Sequence, residues 1–161
     1  MNTTHRGDVP VPTLSSWFAQ RVPPGWFVDD VEVVADRDEI LVIGTLPKGL
    51  SPRRFREATR DERVVIAQHA EAAFDRKVTW AVRHDGALVR FTSLSVPVMT
   101  RLRVEERLVL DQLIDGGIAR SRSEALAWCV RLVGANEGEW LTELREAAAR
   151  LAEVRERGPG S

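Results

Sequence analysis

A single cysteine, Cys129, stands among the 161 residues. No intrachain disulfide can form within this sequence, which suits a reducing compartment. No run of about 18 apolar residues is present, so no segment reads as a membrane-spanning helix. The opening "MNTTHRGDVPVP" is polar and lacks the apolar core of a secretory signal. Together these absences lead us to expect a cytoplasmic, nucleoid-associated protein without contact with membrane. Lysine is scarce as well: Lys48 and Lys77 apart, every Lys/Arg position is arginine. That reads as genome composition and carries no functional weight. Net charge is also missing, since 23 basic and 24 acidic residues leave −1. His5, His69 and His84 are scattered and, with Cys129, give no metal-ligand spacing. No glycine-rich phosphate loop and no nucleophile elbow occur. The expectation is therefore a non-enzyme without cofactor or metal.

What charge there is lies unevenly. Residues 51–97 carry nine basic and six acidic groups, whereas residues 1–50 carry four and seven. The basic charge is thus concentrated in the middle of the chain.

Residues 1–25 contain Pro10, Pro12, Pro23 and Pro24, which break regular elements, and read as a flexible N-terminal arm. From Trp26 the pattern changes. "VEVVA" (31–35) and "EILVIGTL" (39–46) are rich in β-branched residues and flank the turn-like "DRD", the pattern of a β-hairpin. Ser51-Pro52 is a helix start, with serine as N-cap and proline in the first turn. The helix is expected to reach about Phe74, with Phe55, Ala58, Val65, Ile66 and Ala73 on its apolar face and Arg53, Arg56, Arg60 and Arg63 on the opposite one. Glu62 and His69 fall near the middle of the apolar face, two turns apart, where contacts to backbone or rim are favoured over acid–base chemistry. Asp85-Gly86 then marks a second hairpin between alternating runs. Residues 26–95 therefore read as a small α+β domain of the order ββαββ.

A short extended run, "SVPVMTRLRV", follows, then a helix "EERLVLDQLIDGG" closed by Gly116-Gly117. Ser121 opens the next helix, with Glu124 completing a capping box; Leu126, Cys129, Val130 and Val133 make it apolar. "GANEG" interrupts it, and a last amphipathic helix, residues 139–157, carries Trp140, Leu141, Leu144, Ala148, Leu151 and Val154. Cys129 fits a core position better than a reactive thiol. Trp128 and Trp140 are expected to pack at a helix or dimer interface.

The succession of the strand "VMTRLR", the helix "EERLVLDQLIDGG" and the phrase "SRSEALAWCVRLV" resembles the ribbon-helix-helix DNA-binding superfamily of the MetJ, Arc and CopG repressors. The likeness covers residues 96–135, about a quarter of the chain; the N-terminal part resembles no family we recognise. The resemblance implies a homodimer in which one strand from each copy pairs antiparallel, and the two-stranded ribbon enters the major groove. Side chains alternate along such a ribbon. If Val98, Thr100 and Leu102 face the helices, then Met99, Arg101 and Arg103 face the bases. Arginine can donate two hydrogen bonds to guanine O6 and N7. The opposite parity would make Thr100 the base contact.

The resemblance also implies that the start of the second helix clamps the DNA backbone. A helix N-terminus offers unpaired N–H groups and partial positive charge; Ser121, Arg122 and Ser123 would add two hydroxyls and a guanidinium. Taken alone, Ser121–Glu124 is an ordinary structural cap. Arg53, Arg56, Arg60 and Arg63 are candidate secondary DNA contacts outside the groove. The simpler reading of that stripe is a solvated face with an Arg53–Glu57 pair.

The expected function is a sequence-specific transcriptional regulator. It would bind double-stranded DNA as a homodimer and repress by occupying a promoter, with further dimers assembling beside the first. The alternatives are an antitoxin, with the helix after Gly138 as the toxin-binding tail, and an architectural nucleoid protein, which the missing net basic charge disfavours. The module boundaries expected are 1–25, 26–95, 96–135 and 136–161.

Overall fold

The computed structural model describes residues 9–159. The protein is mixed α+β, with six helices and one four-stranded sheet among these residues. It divides into two compact units, Met1–Val98 and Met99–Ser161.

In the first unit the sheet has the order β1 (Glu32–Ala35), β2 (Glu39–Thr45), β3 (Lys77–His84), β4 (Ala87–Arg90). The outer pairs are antiparallel hairpins and the central pair β2–β3 is parallel. A parallel pair needs a crossover, here α2 (Pro52–Ala58) and α3 (Arg60–Phe74). Both hairpin turns follow from local chemistry. The Asp36 carboxylate accepts from the backbone N–H of Asp38 and Glu39 at 2.9 and 2.8 Å, which holds its pKa below the ordinary value. Asp85 and Gly86 both adopt positive φ, 48° and 78°, as a tight two-residue hairpin turn requires.

Alternation along the central strands separates two apolar sets. Ile40, Val42, Trp80 and Val82 join the main core with Phe55, Ile66 and Ala70. Leu41, Ile43 and Ala81 form a smaller cluster of their own. Gly44 fits close against Phe27: a Cβ added there would come within 2.3 Å of the Phe27 ring carbons.

The first correction concerns the expected arm. Val11–Ala19 forms helix α1, and Leu14 and Phe18 are fully buried. Prolines 10 and 12 sit at the helix start, where a missing N–H costs nothing. Phe18 meets Trp17 and Trp80 edge-on, with ring centroids 4.9 and 6.2 Å apart. The segment therefore completes the core. Residues 1–8 lie outside the described ones.

The second correction concerns the expected single helix over 51–74. It divides at Thr59, which leaves helical geometry at φ −105°, ψ 4°. Its buried column is Phe55, Thr59, Arg63, Ile66 and Ala70, whereas Val65 is exposed and so are Glu62 and His69. The face that docks on the sheet is thus rotated toward Arg63. Its long apolar stem can lie along the core while the head finds polar partners. Arg63 Nε donates to Thr59 Oγ1 at 3.0 Å and Nη2 to the Arg56 carbonyl at 2.8 Å.

The second unit holds α4 (Val104–Asp115), α5 (Arg122–Asn136) and α6 (Gly138–Arg157). Gly117 takes φ 77°, the left-handed position that closes α4; Ile118 N–H returns to the Leu113 carbonyl at 2.9 Å. The expected interruption between α5 and α6 shrinks to one residue, Glu137. Among the described residues, no helix is long and apolar enough to cross a membrane.

Candidate nucleic-acid interface

The second unit has little core of its own. Leu110, Ala119 and Ala125 are buried, with Leu102, Leu113, Ile114, Leu126 and Cys129 packed around them. Around this small cluster the apolar residues are open to solvent: Leu108, Val109, Ile118, Val130 and Val133 on or beside α4 and α5, and Trp140, Leu144, Leu151 and Val154 on α6. No residue of α6 is buried. Unpartnered apolar surface on this scale marks an interaction face.

The stretch before α4 belongs to no helix or strand in the single chain. Val98 is 85 % and Met99 96 % exposed. Arg101 and Arg103 are exposed as well, whereas Leu102 is half-buried and packs on the small core. Of the three residues expected to face the helices, only Leu102 is half-buried, while Val98 and Thr100 are exposed like Met99, Arg101 and Arg103. Two local bonds hold the end of this stretch. Arg103 N–H donates to Glu106 Oε2 at 2.7 Å, and Arg107 Nη1 donates to the Leu102 carbonyl at 2.6 Å. Both bonds tie this stretch to the first turn of α4.

At the start of α5, Ser121 acts as N-cap, its Oγ accepting from Glu124 N–H at 3.2 Å. The Glu124 carboxylate reaches past the cap to accept from Arg120 N–H at 2.8 Å. Ser121, Arg122 and Ser123 are all exposed. The Arg122 guanidinium is already engaged: Nε and Nη2 donate to Asp111 Oδ1 and Oδ2, each at 2.8 Å. Hydrogen bonding and the opposite charge push Arg122 above, and Asp111 below, their ordinary pKa values. Asp111 was not singled out from sequence. It lies on a different helix across the glycine turn, and no local period links the two positions.

The arginine stripe of the first unit is only partly what its spacing suggests. Arg53, Arg56 and Arg60 are exposed, and Arg53 pairs with Glu57 at 3.0 Å. Arg63 is buried, with its guanidinium 4.8 Å from the centre of the Phe91 ring. Burial, together with the like charges of Arg56 and Arg60, lowers its pKa. Among the described residues no cluster of His, Cys, Asp or Glu is arranged to hold a metal ion. Trp128 is half-buried and Trp140 is 55 % exposed.

Two domain families match the chain. One, described as "Rv1265-like protein, N-terminal domain", matches residues 12–89, and the other, "Mb1296 C-terminal domain", matches residues 103–155. The chain is 48 % identical over 157 residues to the uncharacterized proteins Mb1296 of Mycobacterium bovis and Rv1265 of Mycobacterium tuberculosis. Each alignment covers 90 % of this chain and 70 % of the relative. No solved structure matches the chain.

Proposed function

The chain belongs to the family of Rv1265 and Mb1296, and for this member we propose a homodimeric, sequence-specific DNA-binding regulator of transcription. In this reading residues 96–135 form a ribbon-helix-helix module. Two copies of the stretch Val98–Arg103 pair into one ribbon that enters the major groove. Met99, Arg101 and Arg103 face the bases, and the start of α5 sits against phosphate.

One observation carries the reading. The stretch Val98–Arg103 joins no strand of its own chain, exposes both arginines while Leu102 alone packs on the small core, and leads into a helical unit that buries only Leu110, Ala119 and Ala125. Units this small reach stability by associating. A second copy would cover the apolar faces of α4 and α5 and supply the missing partner strand. The protein would act on chromosomal DNA in the cytoplasm, needing neither cofactor nor metal.

The experiment is a DNA-selection and binding assay. Arg101→Ala/Arg103→Ala is expected to lose preference for the selected sequence, each bidentate arginine–guanine contact being worth about 1–3 kcal/mol of discrimination. Retained affinity and preference in a folded variant would refute the assignment.

One observation favours a second reading, an antitoxin whose tail is α6. That helix exposes Trp140, Leu144, Leu151 and Val154 and buries none of its residues. If it is a tail, the dimer should survive Leu144→Ser/Leu151→Ser; if the second copy covers it, the dimer should weaken.

A further inference from the structure

The first unit carries a groove of about 820 Å³ lined by Arg53, Arg56, Glu57, Arg60, Arg90 and Phe91, among others. Its charge is almost uncompensated. Among the described residues, Arg53 alone of these arginines has a carboxylate within ion-pair distance, the exposed Glu57. Behind it lies Arg63, buried, bonded to a hydroxyl and a carbonyl, with no acidic partner among the described residues. Arg56 and Arg63 both stand over the Phe91 ring, at 5.8 and 4.8 Å from its centre. Like charges gathered beside a buried cation destabilise the unit unless an anion neutralises them.

The arrangement of the charges selects the kind of anion. Arg53 and Arg56 stand on α2 and Arg60 opens α3 across the Thr59 break, a row on the order of 10 Å long at helical rise. One strand of duplex DNA presents a phosphate for about every 3.4 Å of axis. A row of cations of that length suits a linear polyanion, with about three phosphates in reach. The chain from Arg90 to Arg101 is short, spanning at most about 40 Å when fully extended. A duplex held by the arginines before α4 is therefore present at high effective concentration for the groove.

We infer that the groove along Arg53, Arg56 and Arg60 is a second DNA-binding site, which takes the phosphate backbone of the duplex and reads no sequence. The inference rests on the reading of this chain as a DNA-binding protein. It assigns the three exposed arginines to phosphate contact and Arg63 to the support of the Phe91 wall behind them.

The test uses the full chain and a random-sequence duplex longer than one helical turn, titrated over a series of salt concentrations. In Arg53→Ala/Arg56→Ala/Arg60→Ala the slope of log affinity against log salt is expected to become less negative by about 2–3 units, at about 0.9 unit per phosphate contact. The preference of the protein for a selected over a random duplex stays as it was. The corresponding triple lysine variant keeps the charges and should keep the slope. A slope unchanged by the alanines overturns the inference, as does a loss confined to single-stranded RNA or a loss that the lysines share. Arg101→Ala/Arg103→Ala, run in parallel, separates the two claims. If it keeps its sequence preference while the groove variant loses slope, the groove stands and the ribbon reading falls. If it loses preference while the groove variant keeps its slope, the groove alone falls.

Discussion

Arg122 and Asp111 face each other across the glycine turn between α4 and α5, joined by two parallel hydrogen bonds of 2.8 Å. This fork-to-fork geometry is the most directional ion pair that side chains make. It fixes the start of α5 against the body of α4. It also places a carboxylate beside the helix mouth proposed to meet phosphate.

The pair gives opposite predictions for its two members. Asp111→Asn removes the negative charge and frees the guanidinium, so affinity for duplex DNA should rise and the salt dependence should steepen. Arg122→Ala leaves the carboxylate facing phosphate, so affinity should fall across all sequences and the salt slope should drop by about one unit. Fluorescence anisotropy at several salt concentrations reads both. Equal effects of the two substitutions would show that Arg122 serves the fold and not the DNA.

The same pair makes stability depend on pH. The folded-state pKa of Asp111 lies below its ordinary value of 3.8. Its contribution is therefore fully present above the unfolded-state value and disappears as pH falls through the lower, folded-state one. The difference in melting temperature between the wild type and Asp111→Asn should accordingly be seen near neutrality and vanish on acidification below about pH 4. Thermal melts across that interval check it.

Phe18 is fully buried between Trp17 and Trp80. Phe18→Ala should cost about 3–5 kcal/mol, as for other core phenylalanines. Denaturant unfolding measures this. A cost near zero would mean that α1 is detached from the core.

Gly44 lies on a central strand, where glycine is ordinarily unfavourable. Its value is the room it leaves for the Phe27 ring. Gly44→Ala should push that ring aside and destabilise by about 1–3 kcal/mol, the range for overpacking. Phe27→Ala should restore the space, so the double substitution should cost less than the sum of the two single ones.

Local signals in the sequence were legible because their causes are local. Asp85-Gly86 makes a turn through its own backbone angles, Ser51 caps α2 through its own hydroxyl at 3.2 Å, and Ser121 does the same for α5. The mixed α+β character followed from such signals. What escaped depended on distant partners. Prolines in residues 10–24 suggested an arm because nothing local shows that Leu14 and Phe18 meet a sheet formed later in the chain. Arg63 shared the spacing of Arg56 and Arg60, and only the seat of α3 on that sheet turns it inward. The Arg122–Asp111 pair depends on the path of the chain through Gly116-Gly117, which spacing does not encode. Around Val98–Arg103 the apolar and basic residues were visible, but that the stretch joins no strand of the chain was not.

Sedimentation equilibrium of the full chain tests the central claim most directly. The account predicts a species of twice the 18.0 kDa chain mass, which dissociates when Val98–Arg103 is replaced by a glycine-serine segment. A folded protein that stays at the mass of one chain at every concentration would contradict it.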